Sequence, residues 1–210
     1  MKIMHVDASA RTDGSVSRAL SGRFIERLRD AGVSAEVDRV DLAETPPAHF
    51  GMLHMAAIYT PSGARTPDMK AAIAASDDYC ARLLAADALV LGTPAYNFGP
   101  PSTLKSFLDQ ILRSGLTFRS DETGVTGLLG NTRVVCLTAF GGTYGAGEPF
   151  EGMDCLSPLL DTLFRFLGVT DLVQIAARPT GFAATDEVAA AIASAETKVD
   201  SLAGEWSRSL

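Results

Sequence analysis

Short apolar runs of strand length alternate with stretches of helical periodicity along the whole chain. No other feature constrains the fold as much. The runs fall at residues 3–9, 35–40, 88–92, 132–138 and 172–176. Helical patterns follow at 15–30, 67–86, 102–115, 156–167 and from 185 to the end. Five strands alternating with helices predict a parallel sheet covered on both faces, a doubly wound α/β fold. The common order for five such strands is 2-1-3-4-5. No internal repeat and no linker interrupts the pattern, so a single domain over residues 1–210 is expected.

Local signals set the boundaries. Leu20, Phe24, Ile25 and Leu28 mark one face of the first helix, and Gly32 is expected to cap its end. Residues 35–40 alternate, as in a strand near a sheet edge. Residues 41–67 are irregular and rich in Pro, Gly, Ala and Met, with a short helix expected around 52–58. A segment this long in a compact domain is usually a lid, a binding loop or an oligomer contact. Thr66-Pro67 starts the next helix, with Thr as N-cap and Pro at the first helical position. Residues 116–128 carry turn signals between short apolar pieces and read as an excursion or small hairpin.

The stretch Gly92-Thr93-Pro94-Ala95-Tyr96-Asn97-Phe98-Gly99-Pro100-Pro101 joins the third strand to its helix. Its prolines fix φ and its glycines free it, so the turn is shaped. Either Tyr96 and Phe98 tuck into the core, or something flat covers them; a flavin ring is the flat partner expected. In a doubly wound sheet, ligands bind beyond the C-terminal strand ends where strand order reverses. The loops after strands one, three and four then meet at one edge. The first ends in Ser15-Val16-Ser17 at a helix N-terminus, where free N–H groups and the helix dipole favour an anion. Ser9 adds a donor, and plain N-capping by Ser15 is the alternative. The third offers rings and backbone. The fourth offers Gly141 and Gly142, whose bare backbone admits close approach or simply forms a loose turn.

Other nucleotide sites fail at the same positions. A dinucleotide-binding site wants G-x-G-x-x-G after the first strand, where Ala10-Arg11-Thr12-Asp13-Gly14 stands. The P-loop pattern G-x-x-x-x-G-K-[ST] is absent, and the third strand ends without the Asp of a phospho-accepting receiver. A net charge of −7 with no Lys/Arg cluster argues against nucleic acid. Cys80, Cys136 and Cys155 are too widely spaced for a disulfide framework or metal finger, and the three histidines form no zinc pattern, so no metal is expected. No apolar run suits a signal peptide or a bilayer, so no membrane partner and a cytoplasmic location are expected.

Several of these pieces together resemble a known family. Ser9 with Ser15-Val16-Ser17, then Pro94-Ala95-Tyr96-Asn97-Phe98, Leu116-Thr117-Phe118-Arg119, Gly141-Gly142 and Phe166-Leu167-Gly168-Val169 keep the order and spacing of the FMN-dependent NADH-azoreductases. These are also described as NADH:quinone oxidoreductases, of flavodoxin-like fold. The resemblance implies a homodimer with tightly bound FMN in each subunit. Ser9, Ser15, Val16 and Ser17 would hold the phosphate end. Pro94, Ala95, Tyr96, Asn97 and Phe98 would line the isoalloxazine, and Ala139, Phe140, Gly141 and Gly142 would sit by its pyrimidine side. Many members have Ser-Arg where Ala139-Phe140 stands. Some have an aromatic at Ser120 and a histidine at Tyr144, positions that face the substrate.

The function implied is electron transfer from NADH or NADPH through the flavin to a quinone or azo compound, in ping-pong order. The cofactor carries the chemistry, so no catalytic acid or base is assigned. Tyr59, Phe118 and Tyr144 are candidate substrate-pocket walls, with core or dimer packing as the plain alternative. An electron carrier without turnover of its own is the competing function; the long 41–67 segment and the loop at Phe118 disfavour it.

Overall fold

Lys2–Asp7 forms β1 and Glu36–Asp41 forms β2, paired in parallel from Lys2 against Glu36 to Asp7 against Asp41. The computed structural model describes residues 1–122 and 124–209. Thr123, inside the expected excursion, and Leu210, the expected end of the last helix, lie outside the described residues. Ala88–Pro94 forms β3, Phe118–Asp121 β4, Gly124–Gly127 β5, Arg133–Ala139 β6 and Leu172–Ala177 β7. The main sheet runs β2-β1-β3-β6-β7, with every pairing parallel. The expected order counted sheet strands alone. Its fourth and fifth are β6 and β7 because β4 and β5 form a separate antiparallel hairpin between β3 and β6 in the chain.

The helices are α1 (Val16–Asp30), α2 (Met52–Tyr59), α3 (Pro67–Ala85), α4 (Ser102–Ile111), α5 (Ser157–Phe166) and α6 (Thr185–Arg208). They divide between two cores. Leu20, Phe24 and Leu28 of α1 share one with Val199, Leu202 and Trp206 of α6. In the other, Leu83 of α3 packs with Phe107 of α4 and Phe164 of α5. Alternate strand residues feed the two faces: Leu89 and Leu91 reach one, Ala88 and Val90 the other. All of β3 is buried, as the central strand of a covered parallel sheet must be. Phe24 and Trp206 meet edge to face at 5.0 Å, joining α1 to α6.

Helix starts follow the sequence signals. Ser15 accepts the N–H of Arg18, and Thr66 accepts that of Met69 ahead of Pro67. Two ends differ from expectation. Ala31 caps α1, and Gly32 makes the left-handed turn after it, at φ 86°. The fourth helix stops at Ile111 rather than near Gly115. There the Thr117 hydroxyl donates to the Ile111 carbonyl at 2.5 Å and accepts the Arg113 N–H at 3.0 Å, replacing the next helical turn. Among the described residues, no helix is long and apolar enough to cross a membrane. No group of His, Cys, Asp and Glu among them is arranged to hold a metal.

Candidate active site

Parallel strands end on one edge of the sheet, so the loops that follow them meet there. A cavity of about 330 Å³ opens at that edge, within the ordinary range of small-molecule sites. The loop after β1 contributes Ser9, Arg11 and Gly14, and the start of α1 adds Ser15, Val16 and Ser17. The loop after β3 contributes Pro94, Ala95 and Tyr96, while Ala139 and Gly141 come from the end of β6. A fourth wall, unexpected from sequence, is Thr180, Gly181 and Phe182 after β7.

The donors are placed by local structure. Ser9 is buried, accepts the N–H of Arg11 at 3.2 Å, and lies 3.4 Å from the Tyr96 hydroxyl. Ser15 and Ser17 stand hydroxyl to hydroxyl at 3.4 Å. The Arg18 N–H is taken by Ser15. No acceptor among the described residues meets the N–H groups of Val16 and Ser17, which begin the helix. The same holds for the N–H of Gly141. The lining contains no carboxylate, although the chain is acidic. Hydroxyls, unclaimed N–H groups and a helix N-terminus together suit an anion with a flat body beyond it.

Behind the cavity, Asp7 is buried beside His5 (3.4 Å), Ser21 (2.9 Å) and Arg18 (3.6 Å). Burial works to raise its pKa, but the hydrogen bond and charge of His5, the Ser21 hydroxyl and Arg18 outweigh it and hold the carboxyl below its usual value. A Cβ on Gly92 would meet Asp7 and Ser21 at 2.8 and 2.7 Å, so only glycine fits there.

Other expected site residues stand elsewhere. Asn97 and Phe98 form the tip of the β3 turn, outside the cavity lining, and both are left-handed at φ 49° and 71°. Phe140 does not face the cavity. Its ring is fully buried against Tyr144, with the Arg178 guanidinium 4.3 Å over it. Its N–H and carbonyl are taken by Ala177 and Thr180. The position expected to face substrate is therefore core. Gly142 is covered as well: a Cβ there would meet the Phe150 ring at 2.4 Å, and one on Gly141 would meet Phe182 at 3.0 Å. The two glycines make room for these rings on their Cα side. Tyr59 is exposed on α2, Phe118 packs edge to face on Phe166, and Tyr144 packs between Phe140 and Phe150; none lines this cavity.

Residues 1–202 match the family model described as flavodoxin-like fold. An FMN-dependent NADH:quinone oxidoreductase of Nostoc sp. is 39% identical over 174 residues, covering 82% of this chain and 84% of that protein. One of Azospirillum brasilense is 37% identical over 204 residues, covering 97% and 98%. Among solved structures, an azoreductase of Bacillus anthracis superposes with a TM-score of 0.89 at 24% identity, covering 98% of this chain and 99% of that one. The strand order, the cavity at the strand ends and these relatives agree: the chain belongs to the flavodoxin-like family, among the FMN-dependent NADH:quinone oxidoreductases.

Proposed function

We propose that this chain is an FMN-dependent oxidoreductase that takes electrons from NADH or NADPH and passes them to quinones and azo compounds. The observation that carries the reading is the cavity at the C-terminal strand edge, lined by serine hydroxyls and unclaimed N–H groups and free of carboxylates. Its relatives named for FMN, NADH and quinone support the same chemistry.

The residues present fit FMN. Ser9, Ser15 and Ser17, with the N–H groups of Val16 and Ser17, would hold the phosphate end by hydrogen bonds and helix dipole. Pro94, Ala95 and Tyr96 give the ring system an apolar seat. The turn at Asn97 and Phe98, held at positive φ, would offer its backbone N–H groups to the ring edge. The Gly141 N–H, on the cavity lining and without a backbone acceptor, would steady negative charge on the ring by preorganised electrostatics. Bound FMN supplies the hydride and electron chemistry. The chain contributes no acid or base to it. Donor and acceptor use one face of the site in turn, which is ping-pong order.

The chain is read as one FMN-binding domain that acts as a homodimer in the cytoplasm. An apolar surface on α2 supports the dimer: Met52 and Tyr59 are 90% and 79% exposed, beside Leu53 and Met55. Tyr59 then becomes a wall available to the partner's site. All three cysteines are free, which suits a reducing compartment.

The test is an anaerobic titration. The purified protein should be yellow, bleach on adding NADH, and recover its colour on adding benzoquinone. A colourless protein that ignores added FMN would sink the reading.

A further inference from the structure

We propose that Arg11 makes the cavity selective for a phosphorylated flavin, its guanidinium pairing with the phosphate of FMN. The inference rests on the function proposed above and names a residue for its phosphate subsite. Arg11 is the one formally charged residue in the cavity lining. Its own N–H is bound to the Ser9 hydroxyl, so the side chain departs from a fixed point on the rim. The guanidinium makes no ion pair with any described carboxylate, in a chain whose acidic residues outnumber its basic ones. Arg18, seven residues on, has both terminal nitrogens taken by Asp41, Asp7 and the Ser9 carbonyl, and its Nε is buried away from the cavity lining. It therefore cannot serve a ligand, and Arg11 is left to do so.

The chemistry is complementary. A phosphate monoester carries a charge of about −1.5 to −2 at neutral pH. The neutral hydroxyls of Ser9, Ser15 and Ser17 and the helix N-terminus supply hydrogen bonds and partial charge, but no full positive charge. A guanidinium adds one, in a fork that matches phosphate oxygens. Riboflavin has the same ring and ribityl chain without the phosphate, so it gains nothing from Arg11.

The experiment titrates the full-length, flavin-free chain with FMN and, separately, riboflavin, reading the quenching of flavin fluorescence. Arg11→Ala should weaken FMN about 10- to 100-fold, the loss of a charge-assisted hydrogen bond, and leave riboflavin affinity unchanged. Arg11→Lys should recover part of the loss. Raising salt should weaken FMN in the wild type more than in Arg11→Ala. Unchanged FMN affinity in Arg11→Ala overturns the proposal. So does an equal loss for both flavins, which would mean that Arg11 only shapes the loop. A wild-type chain that binds neither flavin overturns the function proposed above instead, so the two failures are distinguishable.

Discussion

Arg18 reaches from the first turn of α1 to Asp41 at the end of β2, placing Nη1 and Nη2 on the two carboxylate oxygens at 2.5 and 2.8 Å. Nη2 also meets the Ser9 carbonyl at 2.7 Å, so one side chain ties the edge strand to the loop that opens the cavity. The hydrogen bond from Arg18 is the main reason the Asp41 carboxyl is held at about 2, below its ordinary 3.8; the N–H groups of Ala43 and Glu44 add to it. Because the folded value is the lower one, this stabilisation is present above pH 3.8 and disappears as pH falls towards 2. The shift corresponds to about 2 kcal/mol. Asp41→Asn should therefore cost roughly 2–4 kcal/mol in urea unfolding at neutral pH, and the gap to wild type should close on acidification through that window. A gap that does not change with pH would contradict the assignment.

Strand and helix alternation was readable because each sheet strand with both faces buried is a continuous apolar run, as in Ala88-Leu89-Val90-Leu91. The hairpin of β4 and β5 was readable only as turn signals, since its short, largely exposed strands have no face to bury. The end of α4 was not readable. Apolar periodicity continues through Leu112, and only a hydroxyl six residues beyond Ile111 stops the helix. Three walls of the cavity followed from topology. The fourth depends on backbone bonds beyond the strand ends, Thr180 N–H to Phe140 O and Phe182 N–H to Gly141 O, both 2.8 Å. Such pairing leaves no mark in composition. The Phe rings over Gly141 and Gly142 were hidden for the same reason, since neither ring is a sequence neighbour of the glycine it covers.

Gly141→Ala and Gly142→Ala should separate those two contacts. A Cβ at 141 meets the edge of Phe182 at 3.0 Å, but that ring is 83% exposed and can swing away. The cost should stay below about 1 kcal/mol. A Cβ at 142 meets Phe150 at 2.4 and 2.5 Å, and that ring is packed at 5.6 Å on Tyr144, which itself packs on the buried Phe140. Overpacking there should cost about 1–3 kcal/mol. Thermal unfolding of the two variants ranks them, and the reverse order would show that the rings move differently.

His54 should make stability fall in mild acid. Its ring is buried against Phe50, and its Nε2 has no partner among the described residues. Burial pushes its pKa below 6.5, Arg113 pushes the same way, and Asp77 opposes them. The folded chain thus keeps His54 neutral while the unfolded chain takes up a proton first. Stability is lost as pH falls from 6.5 towards the folded value. His54→Leu should flatten the loss between about pH 7 and pH 5 in denaturant titrations. An equally steep loss in the variant would place the titrating group elsewhere.

Phe98→Gly should trade binding for stability. Tyr96 and Gly99 close a two-residue turn, N–H to carbonyl in both directions at 2.9 and 3.1 Å. Both central residues, Asn97 and Phe98, have positive φ. Turns of this kind favour Asn-Gly, because a side chain at the second position strains against the backbone. Phe there costs about 1–2 kcal/mol, and the Cys155 N–H holds the Phe98 carbonyl at 3.0 Å against relaxation. Glycine releases that strain, and the contact it forfeits is small because Phe98 is 42% exposed and its ring lies 6.1 Å from that of Phe150. The melting temperature should stay level or rise. FMN affinity should fall, because the freed turn no longer fixes the backbone N–H groups proposed to meet the flavin. Melting curves with and without FMN measure both effects on one sample. A variant that melts lower yet binds FMN as tightly as wild type would mean that the ring serves packing and that the strain has no part in holding the cofactor.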